Sequence, residues 1–449
     1  GRDVTGARVL ALVDGEHYPA TTRWALATAE AEGLDVVGCL YVGGTEKVSA
    51  DGDLDLGVPV DPAGEDLAGA LADALARRRP DAVLDLSDEP ILGDRERAAV
   101  AAVTLAAGVR YLGPDFTVDP PIRSDPLSVP TLGVIGTGKR TGKTAVAGEA
   151  ARVAARSGLQ PVLVAMGRGG PPGPRVAEAG SIDLDRLMDL ARSGEHAASD
   201  YLEDAVTTGV TTIGARRAGG GLFGGPYVSN VVEAARMAEE RRPGLVILEG
   251  SGAAIPPVPW DAGVLVAPAG PGRGDLEASI GGAYRVLLSE LVVYTMGSGP
   301  DVGPPDPSDL RSHIRTYGSG ARIAVIELAP MPLSDVEGKD VYFATTAPQE
   351  AGPRLVRSLE RHGCSVVGST HRLADRAALA ADLDAAPAFD ALLTELKAAA
   401  VDVAAERARA RGAEVVFVDN RAETVAGDGD LPDLLLDTAR MAADRAGDR

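Results

Sequence analysis

The stretch that decides the fold is Leu132-Gly133-Val134-Ile135-Gly136-Thr137-Gly138-Lys139-Arg140-Thr141-Gly142-Lys143-Thr144, followed by a helical pattern that runs to Gly158. An apolar run, expected as a strand, enters a Gly-rich turn and then a helix. Backbone N–H groups in such a turn, together with the helix N-terminus, form an anion cradle. Lys143 can reach the β- and γ-phosphates of a nucleotide, and the Thr144 hydroxyl can ligate Mg2+. The turn carries three cations, Lys139, Arg140 and Lys143, and no acid. In the general pattern G-x-x-x-x-G-K-[ST] the first glycine position is Thr137 here, with Gly136 one residue earlier, so the loop is a variant. A Gly-rich turn without function is the plain alternative, but it does not account for strand, GKT and helix occurring together. Gly136, Thr137, Gly138, Lys139, Arg140, Thr141, Gly142, Lys143 and Thr144 are therefore the candidate nucleotide-binding residues.

Outward from this loop, apolar runs recur at 161–166, 210–213, 245–248, 264–267, 291–294 and 323–328, with helical patterns in most of the gaps. Strands alternating with helices of this length indicate an α/β fold with a mainly parallel sheet. The loop is thus expected in a central P-loop NTPase domain over 126–337. Before it, 1–125 reads as a Rossmann-like α/β domain, with apolar runs at 7–13, 34–41 and 82–86 between helical patterns. Residues 113–130 hold five prolines in 18 residues and read as a linker. After it, 338–449 reads as a smaller α/β region with apolar runs at 341–344, 365–367 and 415–418 and a long Ala-rich helix over 388–411.

Composition narrows the function. The 449 residues hold 65 acids against 44 Lys plus Arg, a formal charge of −21. That argues against nonspecific binding to nucleic acid or anionic membranes, which needs positive surface. Cys39 and Cys364 are the only cysteines, so no disulfide framework is expected, in keeping with a reducing cytoplasm. No apolar run approaches membrane-spanning length, and the opening of the chain does not read as a signal peptide. Only five cations are Lys, against 39 Arg, and two of the five lie in the loop.

Further strand ends carry charge. Leu245-Val246-Ile247-Leu248-Glu249-Gly250-Ser251-Gly252 ends an apolar run in a carboxylate, placed to hold Mg2+ opposite Thr144. Met166-Gly167-Arg168-Gly169-Gly170 and Ile213-Gly214-Ala215-Arg216-Arg217 end runs in Arg on Gly-rich turns. Ligands sit outside the carboxyl ends of parallel strands, and Arg there grips phosphate or carboxylate. Arg168 and Arg216 are weighed above Arg217. Glu178, Asp200, Glu203 and Asp204 are expected on polar helix faces, and His196 is a weak candidate base. Asp14-Gly15-Glu16-His17 reads either as a binding loop or as a helix-capping turn. Pro330-Met331-Pro332 is a candidate adenine contact, taken as a turn after the strand at 323–328.

GTGKRTGKT (136–144) and LEGSG (248–252) together resemble the dethiobiotin-synthetase-like branch of P-loop enzymes. With VDGEHYP (13–19), GPDF (113–116), MGRGGP (166–171), ELKAAAVD (395–402) and VFVDNR (416–421), the chain resembles the cyclic 2,3-diphosphoglycerate synthetase family over its whole length. The resemblance implies ATP- and Mg2+-dependent cyclisation of 2,3-diphosphoglycerate, with ADP and phosphate released, by a cytoplasmic homodimer; a K+ requirement is left open. It implies that Lys143 and the loop amides bind ATP, that Thr144 and Glu249 hold Mg2+, and that Lys139 and Arg140 stabilise the transferring phosphoryl group. Arg168 and Arg216 would grip the diphosphoglycerate, with Gly169, Arg217, Lys397 and Arg421 as further substrate candidates. The competing readings are a related ligase that activates a carboxylate, a nucleotide-binding regulator, and a binding protein whose first domain does the main work.

Overall fold

The computed structural model describes residues 6–47, 54–194, 199–270, 275–277, 279–297, 303–398 and 400–449. The chain forms two compact units. One comprises Gly1–Ile122, Leu276–Ser289 and Ser308–Ala321; the other comprises Arg123–Asp275, Glu290–Pro307 and Arg322–Arg449.

The first unit holds a six-stranded sheet in the order Val60–Pro62, Asp35–Tyr41, Arg8–Val13, Ala82–Asp85, Arg110–Leu112, Thr117–Val118. All neighbours are parallel except the last pair. This is the doubly wound order expected of a Rossmann-like sheet. Its central strand Arg8–Val13 is apolar and buried after the first residue, because helices cover both faces of a parallel sheet. In the turn after it Asp14, fully buried, accepts the backbone N–H groups of Glu16 (3.0 Å) and His17 (3.2 Å) through Oδ1 and that of Asp88 (2.6 Å) through Oδ2. The short helix Gly282–Leu287 packs on Asp94–Ala106 in this unit, although its sequence lies between two strands of the other.

The second unit is built on one large sheet. Its strands run in the order Val228–Ser229, Thr212–Ala218, Pro161–Gly167, Leu245–Glu249, Thr131–Gly136, Ala262–Pro268, Leu291–Thr295, Arg322–Pro332, Glu414–Gly427, Ala391–Glu395, Asp340–Ala344, Ser365–Thr370. The strands from Thr212–Ala218 to Arg322–Pro332 are parallel. The long strand Glu414–Gly427 pairs antiparallel with Arg322–Pro332 on one side and parallel with Ala391–Glu395 on the other. The phosphate-loop strand and the C-terminal strands therefore belong to one sheet. Thr131–Gly136 and Leu245–Glu249 are buried at every residue.

Three local expectations are corrected. The Ala-rich stretch is not one helix: Ala391–Glu395 is a strand buried at every residue, followed by a π-helical turn Ala400–Ala405 and a short α-helix Glu406–Ala410. Ala-Leu-Leu-Thr-Glu alone fits a buried helix as well as a two-sided parallel strand, and tertiary pairing decides. The strand begun by the apolar run at 415–418 does not end there but continues through Asp419, Asn420 and Arg421 to Gly427, because Met331, Pro330 and Ala329 pair with them. By the same pairing Pro330-Met331-Pro332 is strand, not turn.

The strand assignment of Ala391–Glu395 sets a stability test. Leu393 is completely buried, so Leu393→Ala should cost about 2–5 kcal/mol. Denaturant unfolding followed by circular dichroism measures this; a change within about 0.5 kcal/mol, as at an exposed helix position, would contradict it.

Candidate active site

The phosphate loop joins the buried strand Thr131–Gly136 to the Ala-rich helix Lys143–Arg156. Two glycines shape it. A Cβ on Gly136 would stand 2.7 Å from Lys143 Cδ and 2.9 Å from Thr141 Oγ1, so the missing side chain lets Lys143 fold back over the turn. Gly142 has φ 95°, a left-handed conformation that costs glycine nothing. Thr295 Oγ1 donates to the Thr141 carbonyl at 2.8 Å and anchors the turn to a second strand end. Lys143 is buried and donates from Nζ to the Gly138 carbonyl at 2.8 Å. Burial pushes its ammonium down to about 8, while Glu249 and Asp200 pull the other way. Lys139 and Arg140 are exposed at the outer rim of the loop.

One side of the loop is acidic. Thr144 Oγ1 donates to Glu249 Oε1 at 2.8 Å, so the two residues expected to meet across the sheet do meet. Glu249 Oε2 is buried and meets no donor of the protein. Desolvation raises the Glu249 carboxyl above its ordinary range. Beside it runs the helix Asp200–Thr208, packed on Lys143–Arg156 and on the strands Pro161–Gly167 and Thr212–Ala218. Two of its acids are not on a solvent face: Asp204 is fully buried and Glu203 is mostly so, whereas Asp200 at the helix start is exposed. The sequence signal lay in Tyr201, Leu202 and Ala205, which are also buried and leave this helix little outer face. Asp200 approaches the strand so closely that a Cβ on Gly167 would stand 2.8 Å from its Oδ2.

Lys397 points to this acidic side. Its Nζ lies 3.5 Å from Glu203 Oε1. Glu203 raises the Lys397 ammonium, whereas burial drives Glu203 up to about 7 against the pull of Lys397. Glu395 Oε2 accepts from the Thr346 N–H and hydroxyl, both at 3.0 Å, and its Oε1 from Asn420 Nδ2 at 3.1 Å.

The other side is basic. Arg217 Nη2 donates to the Ser251 carbonyl at 2.8 Å and to Ser251 Oγ at 3.2 Å, which draws it onto the turn after Glu249. A Cβ on Gly252 would stand 2.9 Å from Arg168 Nη2 and 3.4 Å from Arg217 Nη2. The two guanidinium groups thus converge on one glycine, and both are close enough to Lys143 to depress its ammonium. Burial and Arg168 together lower the Arg217 guanidinium.

Not every candidate joins this group. Arg216 is exposed and its neighbour Arg217 is partly buried; alternation along a strand sends the two to opposite faces. Sequence reading favoured Arg216, and the period of two was the signal that could have reversed the choice. Arg421 Nε pairs with Asp419 Oδ2 at 2.5 Å, in a cluster where Arg152 bridges Asp419 (3.2 Å) and Glu149 (2.8 Å). That cluster gives Arg421 a structural partner. Gly169 is exposed on the turn after Arg168, and His196 lies outside the described residues.

The residues fit a Mg2+ ion. Among the described residues no three His, Cys, Asp or Glu side chains surround one cation position. Mg2+ in nucleotide sites needs no such cage, since it takes one or two carboxylates, a hydroxyl, phosphate oxygens and water. Thr144 Oγ1 and the orphaned Glu249 Oε2 supply donors of that kind.

Comparison with known proteins places the chain in a family. Three domain families match in chain order: the cyclic 2,3-diphosphoglycerate synthetase N-terminal domain over 8–119, its P-loop domain over 131–324 and its C-terminal domain over 332–421. The chain is 44% identical over 449 residues to the cyclic 2,3-diphosphoglycerate synthetase of Rubrobacter xylanophilus, covering 98% of this chain and 99% of that one. It is 39% identical over 425 residues to that of Methanothermobacter thermautotrophicus (92% and 91% covered). The corresponding enzyme of Methanothermus fervidus is 37% identical over 451 residues, with 97% and 98% covered. No helix among the described residues is long and apolar enough to cross a membrane. With all three domain models matched and relatives similar over nearly their whole length, the chain belongs to the cyclic 2,3-diphosphoglycerate synthetase family and is an enzyme of that family.

Proposed function

We propose that the enzyme closes 2,3-diphosphoglycerate into its cyclic pyrophosphate at the expense of ATP. The observation that carries this reading is the convergence of Arg168 and Arg217 on Gly252, within electrostatic reach of Lys143. A substrate with two phosphates on adjacent carbons needs several cations around one point, more than a single carboxylate needs.

The chemistry is charge management. The γ-phosphoryl group of ATP passes to one phosphate of the substrate, forming a phosphoric anhydride and leaving ADP. An oxygen of the neighbouring phosphate then attacks the phosphorus bound to the carbon skeleton, the new anhydride bond breaks, and inorganic phosphate departs. Atoms balance: ATP and diphosphoglycerate give ADP, phosphate and the cyclic product. A phosphate nucleophile is already ionised at neutral pH, so the task is to position and neutralise anions. In this reading Lys143 and the loop N–H groups hold the ATP phosphates, while Lys139 and Arg140 close over the transferring group from the rim. Arg168 and Arg217 hold the diphosphoglycerate. Thr144 and Glu249 would hold Mg2+, which when bound supplies neutralisation of phosphate charge. Lys397 orients Glu203 beside the acidic wall. The cytoplasmic homodimer implied by the family resemblance belongs to the same proposal.

Two experiments test it. ADP formation with Mg2+ should depend on added 2,3-diphosphoglycerate, and phosphorus NMR should show a pyrophosphate-type signal growing with inorganic phosphate; ATP turnover indifferent to the diphosphoglycerate would sink the reading. Arg217→Ala should lower kcat/KM for the diphosphoglycerate by roughly 100-fold or more, about the loss of a charge-assisted contact made in the transition state. Arg216→Ala should change it by less than about threefold. Equal losses at both positions would mean that strand alternation does not govern the site.

A further inference from the structure

The strands Thr212–Ala218 and Pro161–Gly167 pair in parallel as far as Arg216 and Gly167. The ladder therefore ends one residue before Arg217 and one before Arg168, and the backbone carrying the two guanidinium groups lies beyond it. Between Gly167 and Arg175 the chain crosses Thr212–Ala218, because the short strand Arg175–Ala177 pairs with that strand on the side away from Pro161–Gly167. The crossing is close: a Cβ on Gly170 would stand 2.1 Å from the Ala215 carbonyl oxygen and 3.1 Å from the Arg216 nitrogen. Pro171 and Pro172 follow, and neither has an N–H with which to tie the turn down.

Asn230 supplies the tie. It stands after the short strand Val228–Ser229 and at the start of the helix Val231–Glu240. Its backbone N–H donates to the Arg216 carbonyl at 3.2 Å, and its Oδ1 accepts the Arg216 N–H at 2.7 Å. Its Nδ2 donates to the Pro171 carbonyl at 3.3 Å and to the Pro172 carbonyl at 3.2 Å. A side-chain amide has one acceptor oxygen and two N–H donors, and here the acceptor meets an N–H while the donors meet carbonyls. The side chain makes no capping hydrogen bond to its own helix, the usual use of Asn at this place. It instead fastens the backbone next to Arg217 to the turn that follows Arg168.

We propose that Asn230 is a positioning residue: it fixes the separation of Arg168 and Arg217 so that both meet one doubly phosphorylated anion. This inference rests on the reading of the two arginines as the diphosphoglycerate contacts. Position matters there, since a misplacement of about 1 Å can lower a rate by about 100-fold.

The test is calorimetric binding of 2,3-diphosphoglycerate to the full-length protein in the presence of ADP. Asn230→Ala should raise the Kd of the diphosphoglycerate by about 10-fold and leave that of ADP within about twofold. Arg168→Ala should then cost at least about threefold less in the Asn230→Ala background than in the otherwise unaltered protein, because residues acting through one arrangement couple. A role in stability alone would lower the unfolding midpoint and leave that cost unchanged. A diphosphoglycerate Kd within about twofold of the unaltered value, or an Arg168→Ala cost equal in both backgrounds, overturns the inference. If Asn230→Ala does not fold, Asn230→Asp keeps the acceptor for the Arg216 N–H, loses both donors and is judged by the same cost of Arg168→Ala; its added charge alone would leave that cost unchanged. If neither folds, a crystal structure of the unaltered protein with 2,3-diphosphoglycerate decides. Both guanidinium groups on the ligand, with the Asn230 bonds to Pro171 and Pro172 intact, support the inference, and any other arrangement overturns it. The single variants separate the two claims. If neither Arg168→Ala nor Arg217→Ala weakens the diphosphoglycerate, the reading of the arginines has failed and this inference with it. If both weaken it and Asn230→Ala does not, only this inference has failed.

Discussion

Two like charges are held together beside the phosphate loop. Arg168 and Arg217 come from neighbouring strand ends and meet over Gly252, where a single methyl group would already crowd them. Like charges that approach so closely repel each other. Ser251 offsets part of that by taking two hydrogen bonds from Arg217. The arrangement makes sense around an anion of high charge.

The same strand carries the opposite sign one turn earlier. Glu249 ends it and meets Thr144 from the phosphate loop. Within four residues the chain passes from a carboxylate to a seat for two guanidinium groups. The sheet explains how that is achieved. Leu245–Glu249 lies between Pro161–Gly167 and Thr131–Gly136, so the carboxyl ends of three adjacent strands supply Arg168, Glu249 and the loop itself. The next strand outward, Thr212–Ala218, supplies Arg217. A parallel sheet gathers its carboxyl ends on one edge, and every charged group of the site except Lys397 and the acids of Asp200–Thr208 comes from that edge.

Much of this was legible in the sequence. Every apolar run read from 132 onward falls in a strand, since each is short and bounded by turn residues. GKT after an apolar run located the anion cradle, and an acid after another located Glu249. What was not legible had physical causes. Asp204 and Glu203 resemble any surface acids, because burial of a carboxylate leaves no mark on its neighbours beyond Tyr201, Leu202 and Ala205. Arg216 and Arg217 are identical in type, and only strand register separates them. Ala391–Glu395 has the composition of a helix, and its strand state comes from pairing with Glu414–Gly427 and Asp340–Ala344. The discontinuity of the first unit, with Leu276–Ser289 inserted from between two strands of the second, has no local signature at all.

The claim at the centre of this account is that Arg168 and Arg217 act on one anion as a unit. A double-mutant cycle on 2,3-diphosphoglycerate affinity, with Arg168→Ala, Arg217→Ala and the pair measured by calorimetry, tests it directly. Residues that share a ligand are expected to couple by about 0.5–3 kcal/mol, with the double variant losing clearly less than the sum of the single losses. Losses that add to within about 0.5 kcal/mol would mean that the two groups act on separate partners, and would contradict the account.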